Sequence, residues 1–216
     1  MIRIPFTEVT TYHLPAIPFT DSELDYLNNF HTVHSQQLEY RWYRYPTANK
    51  IKYHSADTPI DFLTTEDDFL SIDNFWDLLA DSIKEKFAQY FTDEFFDITC
   101  DPKFRGVRLY LNNPNTPGVH LHKDIYSGGG IPRQLAINIP VSANSLTSEL
   151  KLYDDELNLV ETVHYRKNTP TALNTSVFHE VVHCEFNDIR KIITMSPGML
   201  TMQDFISMLE QGRVLR

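Results

Sequence analysis

Cysteine is nearly absent: Cys100 and Cys184 are the only two in 216 residues. They are too few and too widely spaced for a disulfide framework or a CxxC metal knuckle, so both read as buried thiols. Basic residues are scarce as well. Nineteen Lys and Arg stand against 29 Asp and Glu, a formal charge of −10 and a pI near 5.3, which sets the chain against the phosphate backbone of a nucleic acid. No apolar run approaches the roughly 18 residues that a membrane span needs. The opening MIRIPFTEVTTYHLP has neither a charged n-region followed by an apolar stretch nor a cleavage site. The expectation is a soluble cytoplasmic protein with no nucleic-acid and no membrane partner. Glycine is missing from the first half altogether: all seven lie at or beyond Gly106, whereas eleven of the fourteen phenylalanines lie at or before Phe104. The two halves are therefore built differently, although no Pro/Ser linker divides them. The length suits a single domain with a substantial core.

What is present reads first as helices. Residues 73–92, DNFWDLLADSIKEKFAQYFT, carry Trp76, Leu79, Ile83, Phe87 and Tyr90/Phe91 at helical spacing with charges between them, which predicts one amphipathic helix. Residues 21–31 predict a shorter one, capped by Asp21 or Ser22, with Leu24, Leu27 and Phe30 on one stripe. From Gly106 the texture changes to short β-branched and aromatic runs divided by Asn, Pro, Gly and Asp: GVRLYLN, GVHLH, RQLAINIPV, SELKLYD, LVETVHY, PTALN, SVFHEVVHCEF and RKIITMS. Eight short strands without helical crossovers fit a sandwich or jelly roll rather than a parallel sheet. A last helix is predicted in TMQDFISMLEQG, opened by a capping box of Thr201 and Asp204 and closed at Gly212.

Two clusters could carry chemistry. In VHLHKD, His122 and Asp124 are two apart, so on a strand both leave one face close enough to share a metal ion. A solvated aspartate at a strand end is the plain alternative. The second cluster, SVFHEVVHCEFNDIRKIITM, contains His179, Glu180, His183 and Arg190. Read as a string, residues 179–183 are HExxH, the zinc metallopeptidase signature, whose chemistry needs a helix. Three valines, two phenylalanines and a cysteine are poor helix formers, and on a strand Glu180 would point away from both histidines. Joined instead, His122, Asp124 and His179 make a two-histidine, one-carboxylate facial set that leaves three positions open on iron(II).

With that set the sequence resembles the iron(II) and 2-oxoglutarate-dependent oxygenases, and within them looks most like the aspartyl/asparaginyl β-hydroxylase and free-proline hydroxylase branch. The resemblance runs from about Gly106 to Ser196 and rests on the HxD of His122-Lys123-Asp124, the INIPV strand at 137–141 and the LNTSVFHEVVHCEFNDIRKIIT segment. It implies that Arg190, eleven residues after His179, pairs with the far carboxylate of 2-oxoglutarate. An inward Arg190 sends Lys191 outward and Ile192 inward; the plain alternative is a rim salt bridge. Where relatives have a basic residue and a histidine on the IPV strand, this chain has Ala136 and Asn138. Asn138 is a candidate amide donor to the cosubstrate and equally an inward asparagine bonded to a neighbouring strand. His183 competes with His179 for the distal position, and the family interval to Arg190 favours His179. His120, two before His122, allows an HxH cupin pattern, but the glutamate that pattern needs is missing.

The resemblance implies a mainly β chain with flanking helices around a double-stranded β-helix (jelly-roll) core. Residues 1–105 would supply helices and cover strands, 106–196 the core and 197–216 the closing helix, all in one domain. It further implies Fe(II), 2-oxoglutarate and O2, with hydroxylation of an amino acid, protein side chain or small metabolite. The alternatives are a non-catalytic jelly-roll ligand-binding module and the zinc peptidase. Elsewhere, Arg41-Trp42-Tyr43-Arg44-Tyr45 reads as an edge or cover strand rather than a nucleic-acid platform at this net charge. Gly128-Gly129-Gly130 reads as a loop over the site, and Glu66-Asp67-Asp68 as a solvated turn. Oligomeric state leaves no mark in the sequence.

Overall fold

A computed structural model describes residues 9–43, 69–100, 106–113, 118–124, 133–183 and 189–216. The triple glycine, the Glu66 turn, Arg44, Tyr45 and Cys184 lie outside the described residues, as does the side chain of Cys100.

All eight strands expected beyond Gly106 are present: β4 (Val107–Asn112), β5 (Gly118–His122), β6 (Leu135–Pro140), β7 (Glu149–Tyr153), β8 (Leu159–His164), β9 (Thr171–Asn174), β10 (Phe178–Val182) and β11 (Arg190–Met195). Among the described residues three more precede them, β1 (Thr11–His13), β2 (Tyr40–Tyr43) and β3 (Phe69–Ile72). The described strands form a sheet in the order β1-β9-β6-β11-β4-β3-β2 and a smaller one in the order β5-β10-β7-β8. Pairing is antiparallel throughout. From β4 to β11 every connection crosses from one sheet to the other except the β7–β8 hairpin, which is a jelly roll. Residues 40–43 do form an edge strand, as expected.

The burial patterns follow from this layering. In β7 and β10 buried and half-buried residues alternate, because one face of the small sheet meets solvent. Every residue of β11 is buried, because the large sheet is covered on both faces. Its outer face carries Val107, Leu109, Leu111, Ile137, Ile193 and Met195 against helices from both ends of the chain. Its inner face meets the small sheet through Val119, Leu150, Leu152, Val163, Leu173, Val181 and Ile192. Along one side Glu161 of β8 accepts hydrogen bonds from Thr10 and from Thr11 (2.6 Å), tying the small sheet's edge to that of the large one.

The helices are α1 (Asp21–Val33), α2 (Phe75–Leu78), α3 (Asp81–Tyr90), α4 (Asp93–Cys100), α5 (Ala143–Thr147) and α6 (Met202–Glu210). Two expectations need correction. α1 is capped by Thr20 in a capping box with Glu23, one residue ahead of the candidates chosen from sequence. The single helix over 73–92 is broken: Leu79 and Ala80 are extended (ψ 139° and 138°), and Phe91 is extended after α3. The reason is burial. From extended backbone Leu79 and Phe91 reach the core, while Trp76 packs edge-on against Phe87 and Phe96. α6 is as expected, with the Thr201–Asp204 capping box in place. No helix among the described residues is long and apolar enough to cross a membrane.

Candidate active site

The small sheet sets His122 of β5 directly opposite His179 of β10, with ring centroids 4.2 Å apart. A β-bulge makes this possible. Between the pairs His179–His122 and Val181–Val119, β10 advances two residues and β5 three. Val119 points into the space between the sheets, so period-two counting would send His122 out to solvent. The extra residue turns it inward and leaves His120 and Leu121 exposed. The expectation that His120 and His122 share a face therefore fails, and with it the HxH pattern. Asp124 lies past the end of β5, its backbone N–H donating to the Thr175 carbonyl (3.1 Å). One ligand atom each from His122, Asp124 and His179 lie within 4.8 Å of one another.

The tautomers are set by backbone acceptors. Nδ1 of His122 lies 2.6 Å from the His120 carbonyl and Nδ1 of His179 lies 3.0 Å from that of Val177. A carbonyl only accepts, so each Nδ1 carries the hydrogen and each Nε2 offers its lone pair to the site. His122 Nε2 stands 3.7 Å from Asp124 Oδ1. Burial and the neighbouring His179 lower the His122 pKa to about 4, against the pull of Asp124. Burial works to raise Asp124, but Arg133, His179 and His122 outweigh it and hold the carboxyl at about 2. The set is thus a neutral imidazole beside an ionised carboxylate, the form that ligates metal.

Arg133 was not singled out from sequence. It donates to Asp124 Oδ2 through Nε (2.8 Å) and Nη2, and through Nη1 to Ser196 Oγ (3.3 Å). Its only sequence signal is an arginine shortly before the INIPV strand. Glu180 points to the outer face, where Tyr153 donates to it, so the residues of the HExxH string lie on opposite faces of a strand. His183 is buried but is not in the cluster of ligand atoms.

Arg190 opens β11 and, with Ile192 and Thr194, faces the space between the sheets. It is 4% exposed; Nη1 donates to Asn112 Oδ1 on β4 (2.5 Å), and Nε has no hydrogen-bond partner among the described residues. Burial lowers its pKa, and only Tyr165, whose ring centre lies 5.6 Å from the guanidinium carbon, acts to raise it. Among the described residues no carboxylate compensates this cation. Lys191 faces outward, but onto α1 rather than water, donating to the carbonyl (2.7 Å) and Oδ1 (3.0 Å) of Asn28. Asn138 accepts from Thr194 of the neighbouring strand (2.9 Å) and donates to the Tyr165 hydroxyl (3.0 Å). Tyr165, also missed from sequence, is buried beside Arg190 and Asn138.

No protein-family model and no curated protein matches the sequence. Among solved structures, the Escherichia coli ribosomal oxygenase YcfD in complex with cobalt and succinic acid aligns over 94% of this chain and 53% of its own, with 11% identity and a TM-score of 0.52. The two share a fold. The same protein in complex with cobalt and 2-oxoglutarate aligns with a TM-score of 0.47 at 12% identity, over 90% of this chain and 49% of its own. SnoN, a non-heme alpha-ketoglutarate-dependent epimerase from nogalamycin biosynthesis, aligns over 87% and 78% at 9% identity and a TM-score of 0.49. The chain spans about half the length of the ribosomal oxygenase.

Proposed function

We propose that this chain is an iron(II)- and 2-oxoglutarate-dependent oxygenase that hydroxylates an amino acid, protein side chain or small metabolite, as members of the β-hydroxylase and proline hydroxylase branch do. One observation carries the reading. The interior of the jelly roll holds both a two-histidine, one-carboxylate set with its lone pairs convergent and a buried arginine lacking an anionic partner among the described residues. The donor set fits iron(II), which takes imidazole and carboxylate and keeps three positions open on this triad. The arginine fits a dicarboxylate, because a buried cation is costly until an anion pairs with it.

His122 Nε2, His179 Nε2 and Asp124 Oδ1 would hold the metal. Arg190 would grip the distal carboxylate, with Asn112 orienting its guanidinium and Nε left to donate. The Tyr165 oxygen accepts from Asn138, so its O–H is available to the same anion; burial raises its pKa and keeps it protonated. Asn138 then acts by aiming Tyr165. Leu150, Leu152, Val163, Val181 and Ile192 keep water from the space between. Bound iron and 2-oxoglutarate would supply oxidative decarboxylation to succinate coupled to transfer of an oxygen atom from O2 to carbon.

The test is an anaerobic titration of 2-oxoglutarate into iron-loaded protein, followed by calorimetry, with succinate release measured across an amino-acid and peptide panel. Changing His122, Asp124 or His179 to Ala should weaken iron binding about tenfold or more, while His183→Ala leaves it intact. Arg190→Ala should spare iron but weaken 2-oxoglutarate by about 2 to 5 kcal/mol, and Arg190→Lys should recover part, keeping charge without the planar fork. Iron binding with no 2-oxoglutarate binding to the wild type would leave a ligand-binding jelly roll as the better account.

A further inference from the structure

We propose that Arg133 is a positioning residue that holds Asp124 as a one-oxygen ligand and so keeps the third open position of the metal clear. This rests on the oxygenase reading above. Nε and Nη2 of Arg133 converge on the same oxygen, Oδ2, and Nη1 anchors the guanidinium to Ser196 at the end of β11. The backbone closes the grip from the other side. Thr175, in the turn between β9 and β10, accepts from the Asp124 N–H (3.1 Å), donates its hydroxyl to the Arg133 carbonyl (2.9 Å) and its N–H to that of Gln134 (3.1 Å). The carboxylate is fixed at both ends, with Oδ2 turned toward the arginine and Oδ1 toward His122.

The consequence follows from counting positions. Two imidazoles and one carboxylate oxygen leave three, enough for a chelating keto acid and for oxygen. An aspartate free to swing can offer both oxygens, and the position it takes is the one that oxygen needs. Metal affinity alone would not show this, since a second oxygen partly offsets the loss of a preorganised first. The number of protein donors would.

Cobalt(II), whose visible bands report coordination number, is the probe. It is titrated into wild type, Arg133→Gln and Arg133→Lys, recording affinity, the visible spectrum, subsequent 2-oxoglutarate binding and the urea midpoint. Arg133→Gln should bind cobalt about 10- to 100-fold more weakly and show an altered spectrum, including in the 2-oxoglutarate complex. Arg133→Lys, retaining one donor and the charge, should fall between. An unchanged spectrum and affinity in Arg133→Gln would overturn the proposal, as would weaker binding with an unchanged spectrum and a urea midpoint lowered to match, since that is a merely structural role. Should Arg133→Gln not fold, Arg133→Lys decides alone, and identity with wild type overturns the fork. Failure of the wild type to bind cobalt removes the oxygenase reading and this inference with it; failure of the variants to differ removes only this one.

Discussion

A Cβ on Gly118 would lie 1.7 Å from the Val181 carbonyl oxygen, and the residue sits at φ +136°, where side chains are rarely found. Glycine there lets β5 close onto β10 just before the bulge that turns His122 inward. Gly118→Ala should lower stability by at least about 2 kcal/mol through overlap and strain and weaken metal binding, although residue 118 touches no ligand atom. Urea unfolding and a cobalt titration on the same preparation check both. His122 carries a second consequence. Its folded pKa of about 4 lies below the 6.5 of the unfolded chain, so between those values the unfolded state takes up a proton that the folded state refuses. Stability of the metal-free protein is therefore undiminished by this group above pH 6.5 and falls by up to roughly 3 kcal/mol as pH drops toward 4. Asp124 acts lower, contributing above pH 3.8 and losing its share as pH falls through about 2. Urea midpoints at pH 7, 5.5 and 4.5 with chelator present should fall more steeply for wild type than for His122→Gln; parallel slopes would assign the acid sensitivity elsewhere.

At the scale of elements, what could be read from sequence was what local chemistry determines. The eight core strands stood out because turn residues separate β-branched runs, and α6 because Thr201 and Asp204 cap each other. Thr201→Ala should cost about 1 kcal/mol, seen as a lower thermal midpoint with metal binding unchanged. The break between α2 and α3 was not legible, since Leu79 and Ala80 carry no breaking residue and are extended only because the core takes Leu79. The bulge in β5 escaped for a related reason: nothing in GVHLH marks the extra residue, which shows only in register against β10. Of the residues proposed for the site, His122 and Asp124 stood out by their two-residue spacing, His179 was preferred to His183 by the family interval to Arg190, and Arg190 came through resemblance; the fold brings His122, Asp124 and His179 together. Arg133 and Tyr165 were missed because no local pattern ties Arg133 to Asp124, nine residues before it, and because Ser196, Asn138 and Arg190 lie far along the chain and only the folded layers bring them in.

For the molecule as a whole, the two interiors are unequal. The outer one, between helices and the large sheet, is dense with Phe30, Phe75, Phe87, Phe91, Phe95 and Phe205, all fully buried. The inner one is smaller and shares its space with Arg190, Asn138 and the histidines. Stability should be distributed the same way. Amide hydrogen exchange of the metal-free protein should be slowest in β4, β6 and β11 and faster in β5, β7, β8 and β10, which open as a unit. Uniform exchange across both sheets would contradict this. The direct opposition of His122 and His179 then has a mechanical meaning. An ion held by both is a rivet through the β5–β10 seam of the less stable layer. Cobalt should slow exchange in that seam far more than in the large sheet, and ligand loss in service would register first as a loosening of the wall that carries the ligands.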